Sequence, residues 1–274
     1  MAIRPGSHLR NPQRDPRTAK VATSVSSWLN FTPASLSPTL WLDAADTATI
    51  TESSGAVSQW NDKSGNSYHL SQGTGANQPA TGTVTQNGRN VIGFSADNKF
   101  LTHDAGSNVI SLSPMTMFCV VYDNNSTQGA LTFKRIFTTR ISNSTNDFQS
   151  PNFLSTKNNT AREFGIRSRG LVPTPEYIAY TDQKWFVGTA YTSSSGGFHQ
   201  VNDSSRSVST SNLSIDTSRF LRVGQACATG AFPATIAGNG WIGYMAEILV
   251  FNKQLTESEI STVKNYLFGK WGPF

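Results

Sequence analysis

Tyr68, His69, Tyr177, Tyr180, Phe198 and Phe232 fall in or beside loops rich in Asn, Asp, Ser and Gly. Aromatic rings stack on the apolar faces of sugar rings while amides and carboxylates reach the hydroxyls, so this combination suits glycan binding. Each of the six also suits ordinary packing, and both readings stand at this stage. Other chemistry is thinly supplied. The four histidines, His8, His69, His103 and His199, show no metal-ligand spacing and no paired nucleophile. No phosphate-cradling glycine loop and no Cys-x-x-Cys occurs. The sole Glu-x-Glu, Glu257/Glu259, is accounted for by a helix cap, and Glu163, Glu247 and Asp123 stand isolated on predicted strands. Two cysteines, Cys119 and Cys227, make no disulfide framework, and Cys119 reads as a small buried hydrophobe.

Short strands must position these side chains. Leu40–Leu42, Val91–Phe94, Met115–Tyr122, Ile136–Thr139, Phe164–Ile166, Trp185–Tyr191, Phe220–Val223 and Trp241–Phe251 are apolar runs separated by turn-rich stretches such as Asp62–Asn66. Many such runs without helical patterns between them predict a sandwich or barrel. In Trp241–Phe251, alternation puts Ile242, Tyr244, Ala246, Ile248 and Val250 on one face. The other face carries Trp241, Met245, Leu249 and Phe251, interrupted by Gly243 and Glu247, so the strand is expected to be buried on both sides. Thr256-Glu257-Ser258-Glu259 is a capping box that opens one helix. Ile260, Val263 and Leu267 form its apolar stripe, Lys264 and Lys270 suit the negative end of its dipole, and Gly269 and Gly272 are read as its end. The polar stretch 142–162 is read as an elaborated surface loop.

The chain of 274 residues has a formal net charge of +5, unevenly spread. Arg4, Arg10, Arg14, Arg17 and Lys20 face only Asp15 in the first twenty residues, and the rest is nearly neutral. With Pro5, Pro12 and Pro16 and almost no apolar period, residues 1–30 read as an extended arm before a sandwich spanning 31–274. A neutral body argues against nucleic-acid binding by the domain. No apolar run approaches the ~20 residues of a membrane span, and no secretion signal is expected.

Two stretches carry a resemblance. The first runs Leu40-Trp41-Leu42-Asp43-Ala44-Ala45-Asp46, Val57-Ser58-Gln59-Trp60-Asn61-Asp62-Lys63-Ser64-Gly65-Asn66, Gln78-Pro79 and Val91-Ile92-Gly93-Phe94. The second is Gly243–Phe251, the helix 256–270 and Lys270-Trp271-Gly272. Together they resemble the concanavalin A-like lectin/glucanase superfamily, in the laminin-G-like form found in bacteriophage virion and bacterial surface proteins. The match covers 31–101 and 240–272. It implies an all-β, antiparallel jelly-roll β-sandwich with an extended N-terminal arm and one short C-terminal helix. It also implies that Trp41 and Trp271 share one end of the core.

The resemblance implies functions too. No cofactor is required, but related sandwiches bind one Ca²⁺ through loop oxygens, for which Asp43, Asp46, Asp62 and Asn66 are the metal candidates. Turn stabilisation by Asx hydrogen bonds is the competing reading. Glycosidases of the superfamily place two carboxylates about 5–9 Å apart, typically from a Glu-x-Asp-x-x-Glu run. No such run occurs, so the chain is expected not to be an enzyme. The leading expectation is an accessory structural protein on a bacteriophage virion surface, as capsid decoration or tail component. Arg4, Arg10, Arg14, Arg17 and Lys20 would dock the arm on capsid or tail proteins, in a homo-oligomer or many copies. The displayed sandwich would bind cell-surface glycans weakly, multiplied by avidity. A dedicated carbohydrate-binding adhesin of a phage tail or bacterial surface is the alternative, and a glycoside hydrolase the third.

Overall fold

The alternation of apolar and polar residues from Leu40 onward produces strands throughout. The computed structural model describes residues 30–104, 110–111, 114–124, 132–140, 152–158, 162–167, 177–181, 183–209, 217–218, 220–227, 235–272 and 274. The arm residues Arg4, Arg10, Arg14, Arg17 and Lys20, and Phe232, lie outside them. The first strands are β1 (Leu40–Asp43), β2 (Ile50–Ser53), β3 (Ala56–Trp60), β4 (Leu70–Ser71), β5 (Ala80–Gln86), β6 (Arg89–Phe94) and β7 (Leu101–Asp104). Then come β8 (Ile110–Ser111), β9 (Met115–Asp123), β10 (Thr132–Arg135), β11 (Phe137–Arg140), β12 (Asn152–Asn158), β13 (Arg162–Arg167) and β14 (Ile178–Ala179). The chain closes with β15 (Trp185–Ser193), β16 (Gly196–Val201), β17 (Ser207–Ser209), β18 (Thr217–Ser218), β19 (Phe220–Val223), β20 (Gly243–Phe251) and the helix Glu257–Trp271.

A hydrogen-bonded path β11-β19-β7-β4-β3-β5-β6-β20-β9-β15-β16-β17 folds over on itself, with β1 added to β20 and β2 to β3. All named strand pairs are antiparallel. The inner faces of β1, β6, β20, β9 and β15 meet β3, β4, β7 and β19 around Leu42, Trp60, Leu101, Met117, Ile248 and Leu221. This is the sandwich core, and the fold is the antiparallel jelly-roll class expected, with its single helix at the C-terminal end. A second cluster lies outside that layer, where Phe118, Val120, Leu249 and Phe251 pack against Ile260, Val263, Leu267 and Trp271 of the helix. Burying such side chains stabilises the docked helix by about 1.5–3 kcal/mol each.

Three local expectations change. The register between β20 and β9 shifts between Met245 and Glu247, so Ala246 is the extra residue of a bulge. Met245, Ile248 and Val250 therefore share the inner core, while Ala246 and Leu249 face the helix. Strict alternation had grouped Ala246 with Ile248. Part of the stretch read as a loop, Asn152–Asn158, is instead a strand paired to both β10 and β13. Backbone pairing on both sides suffices for a strand there, although its Asn, Ser and Thr residues lack apolar alternation. Gly269 sits within the helix, and Gly272 caps it by donating its N–H to the Phe268 carbonyl at 2.8 Å. The capping box is present as expected: Thr256 Oγ1 accepts from Glu259 N at 3.2 Å, and Glu259 Oε2 from Thr256 N at 2.7 Å. Cys119 and Cys227 are both free and buried.

Candidate functional site

The turn Asp62–Asn66 is organised by one carboxylate. Asp62 Oδ1 accepts from the N–H groups of Trp41 and Ser64, each at 2.9 Å. Its Oδ2 accepts from Ser64 Oγ at 2.6 Å and from Tyr68 N at 3.1 Å. The side chain thereby ties β1, its own turn and the segment after it into one unit, as an Asx residue with a short acceptor arm does best. Asp62 N donates in turn to His69 Nδ1 at 3.0 Å. His103 Nδ1 meets the His69 carbonyl at 2.9 Å, an acceptor-only partner that places the proton on that nitrogen.

Beside this turn lies a cleft of about 460 Å³. Ser37, Thr39, Ser64, Asn66, Tyr68 and Asn252 line it, with no charged side chain among its lining residues. Ser37 closes a short 3-10 turn with φ 50° and returns its N–H to Ala34 O. Asn66 Nδ2 donates to Thr39 O at 3.0 Å, which fixes the amide and leaves Oδ1 turned to other partners. Asn252 N donates to Thr39 Oγ1 at 3.1 Å, joining the end of β20 to the rim. Tyr68 is half-buried with its ring 5.6 Å from that of His103. Its hydroxyl, like that of Ser37 and the Asn66 Oδ1, makes no hydrogen bond among the described residues. One aromatic wall and several unspent polar groups around a neutral hollow is an arrangement able to hold a hydroxylated ligand.

Among the described residues, the other aromatic candidates do not line this cleft. Tyr180 donates its hydroxyl to Asp123 Oδ2 at 2.6 Å and packs 4.6 Å from Phe186. Tyr177 is half-buried between Phe133 and His199, at 6.1 and 6.3 Å. Phe198 lies under the Arg206 guanidinium at 3.9 Å, and Arg206 forms a bidentate pair with Glu257 at 2.6 and 2.7 Å. The Arg206 guanidinium holds the Glu257 carboxyl below the usual carboxylate range.

The carboxylates proposed as metal ligands are engaged by protein, whereas, among the described residues, Asn66 Oδ1 is not. Lys63 Nζ reaches Asp43 Oδ2 at 2.9 Å and Asp46 Oδ2 at 2.8 Å, and its hydrogen bond holds the Asp46 carboxyl below its ordinary range. Lys270 Nζ bridges Asp43 Oδ1 at 2.7 Å and Glu247 Oε2 at 2.8 Å. Among the described residues no three His, Cys, Asp or Glu side chains gather as metal ligands.

The sequence reading passed over Glu247 as an isolated carboxylate, yet it is the centre of a buried network. It is 1% exposed and accepts from Trp41 Nε1 at 2.8 Å, Trp271 Nε1 at 2.6 Å, Tyr266 OH at 2.9 Å and Lys270. Burial pushes its carboxyl above the ordinary range, and the Lys270 ammonium pulls against that. The bulge turns this side chain toward the helix, so Trp41 and Trp271 do share one end of a core, through one carboxylate. A lone Glu inside an apolar strand was the available signal, since such a group persists only with partners.

No family model and no curated protein sequence matches the chain. Solved structures do. A sialidase from Trypanosoma rangeli in complex with sialic acid superposes with a TM-score of 0.56 at 11% identity, covering 92% of this chain and 38% of that one. An arabinofuranosidase complexed with arabinofuranosyl-α-1,2-xylobiose gives 0.55 at 12%, covering 85% and 59%. The binding domain of botulinum neurotoxin DC in complex with SialylT gives 0.52 at 16%, covering 84% and 51%. The chain thus spans less than two thirds of each, and the likeness is one of fold, a lectin-like β-sandwich. It also corrects one expectation. Catalysis was not expected because no Glu-x-Asp-x-x-Glu run exists, but two of these neighbours, matched over 38% and 59% of their own chains, are glycosidases. Within this chain, moreover, Asp43 and Glu247 stand opposite each other in the β1–β20 register. The fold brings together carboxylates that no run along one strand reveals, so the missing run does not exclude an enzyme. Among the described residues no helix is long and apolar enough to cross a membrane.

Proposed function

We propose that the chain recognises carbohydrate, and that its ligand is a neutral sugar held in the cleft beside Tyr68. The observation that carries this is the cleft's make-up: one tyrosine wall, unspent hydroxyl and amide groups, and no charged lining. Such a surface matches a pyranose ring, which has an apolar face and a rim of hydroxyls. It suits an ionic ligand poorly, because no counter-charge is provided. The matched sialidase, arabinofuranosidase and toxin domain, found in complex with sialic acid, arabinofuranosyl-α-1,2-xylobiose and SialylT, lend support to carbohydrate as the class of ligand.

Calorimetry against neutral and sialylated oligosaccharides tests it. A neutral sugar is expected to bind, and Tyr68→Ala is expected to weaken binding tenfold or more, about 1.4 kcal/mol. Unchanged affinity in that variant refutes the site. The same incubations, followed for release of reducing ends, decide whether binding leads to hydrolysis. As the setting we propose display on a virion, with residues 1–30 docking on capsid or tail proteins through Arg4, Arg10, Arg14, Arg17 and Lys20. The arm's concentrated positive charge beside a nearly neutral body supports this. Deleting residues 1–30 should abolish co-sedimentation with particles and leave sugar binding intact; retained co-sedimentation favours a free-standing adhesin.

A further inference from the structure

Three large aromatic residues stand in one row across the outer face of the sheet. The β20–β9 register sets Tyr244 opposite Tyr122, and the β9–β15 register sets Tyr122 opposite Trp185. All three are only half-buried. They face the same side as Phe118, Val120 and Leu249, which the C-terminal helix covers. Tyr122 lies 5.7 Å from each flanking ring, at 55° in both cases, and Trp185 and Tyr244 are 6.4 Å apart at 30°. Strands two apart in a sheet are separated by about 9–10 Å. Trp185 therefore leans inward past Tyr122 toward Tyr244, and the three rings form one contiguous aromatic surface.

Tyr244 also pairs with Gly93 of β6. A Cβ at Gly93 would sit 3.2 Å from Tyr244 Cε1, so the missing side chain lets the ring lie close to β6. Beside it opens a hollow of about 180 Å³, rimmed by Thr83, Ser95 and Asn124 and floored in part by Gly93. No charged side chain lines it.

From this geometry we infer a second carbohydrate site, distinct from the Tyr68 cleft, that takes an extended neutral oligosaccharide. One sugar would stack on the Trp185–Tyr122–Tyr244 surface and the next would reach the hydroxyl and amide groups at Thr83, Ser95 and Asn124. Aromatic rings bordered by small polar groups suit a ligand that alternates apolar faces with hydroxyls.

Trp185 supplies its own reporter. Trp41 is 8% exposed, and Trp60, Trp241 and Trp271 are 0%. In a full-length Trp28→Phe background, brief N-bromosuccinimide oxidation read by peptide mass spectrometry should modify Trp185 first. Cellohexaose, xylohexaose, mannohexaose and sialyllactose are the probes. At least one neutral hexasaccharide should slow Trp185 oxidation fivefold or more, and should still do so in Tyr68→Ala. Asn124→Ala and Thr83→Arg, both at exposed positions, should reduce that protection tenfold in apparent affinity with the melting temperature unchanged. Equal oxidation with every probe, protection by sialyllactose alone, or indifference to both rim variants would overturn the site. Loss of protection in Tyr68→Ala would overturn its independence. Failure of calorimetric binding at Tyr68 with Trp185 still protected would instead remove only the first site.

Discussion

Replacing Asp62 with Asn tests how the first cleft is built, because the change is isosteric and removes only charge and one acceptor. Oδ1 keeps its bonds from Trp41 N and Ser64 N, both at 2.9 Å. The new amide nitrogen takes the place of Oδ2, where it meets the Tyr68 N–H that now sits 3.1 Å away. Two donors then face each other. The Ser64 hydroxyl can rotate and accept, but a backbone N–H cannot. Hydrogen bonds to charged acceptors contribute about 1.5–3 kcal/mol each, and the side chain is only 7% exposed. One such bond is lost and two others lose their charge assistance, so about 2–3 kcal/mol of stability should go. Asp62→Ala, which removes all four bonds, should cost about 3–5 kcal/mol, less than their sum because water reaches this half-open turn. Urea denaturation of the full chain, read as a midpoint shift at constant slope, measures both. Displacement of Tyr68 should also weaken sugar binding in Asp62→Asn more than the stability loss alone accounts for. Wild-type stability and wild-type affinity in Asp62→Asn would refute the idea that this carboxylate sets the cleft.

Other outcomes follow from the buried network and the helix cap. Lys270→Met leaves Asp43 and Glu247, opposite in register, sharing no ammonium between them, and should cost about 3–5 kcal/mol at pH 7. Because Glu247 is shifted upward by burial, its contribution is largest below its unfolded value and is lost as pH rises through the folded one. The Lys270→Met penalty should therefore be larger at pH 8 than at pH 5, measured by urea midpoints, and Glu247→Gln on the same background should flatten that dependence. Glu257 behaves oppositely: Arg206 lowers it, so the linked stability is present above the ordinary carboxylate range and is lost as pH falls through the folded value. An NMR titration should find Glu257 below the usual range, and Arg206→Ala should return it there.

What the sequence made legible was whatever depends on local chemistry. The capping box of Thr256 and Glu259, the apolar runs that became β9, β15 and β20, and the Asp62–Asn66 turn each follow from neighbouring residues. Tyr68 was visible as an aromatic beside that turn. Ser37, Thr39 and Asn252 were not, since the pairing of β1 with β20 brings them to the same rim from opposite ends of the chain. The bulge at Ala246 was hidden for a related reason: an extra residue in a strand apolar on both faces leaves no break in pattern. Its consequence, the turning of Glu247 toward Trp41, Trp271 and Lys270, was lost with it. Tyr122, Trp185 and Tyr244 lie within strands, where an aromatic reads as core until the register sets the three side by side on a half-buried outer face.

A neutral sugar is proposed to occupy the Tyr68 cleft. A crystal structure of the full chain soaked with the neutral oligosaccharide that binds best by calorimetry tests it most directly. A pyranose ring is expected to stack on Tyr68, with hydroxyls within hydrogen-bonding distance of Asn66 Oδ1 and the Ser37 hydroxyl. Sugar density elsewhere on the sandwich with this cleft holding only solvent would contradict it.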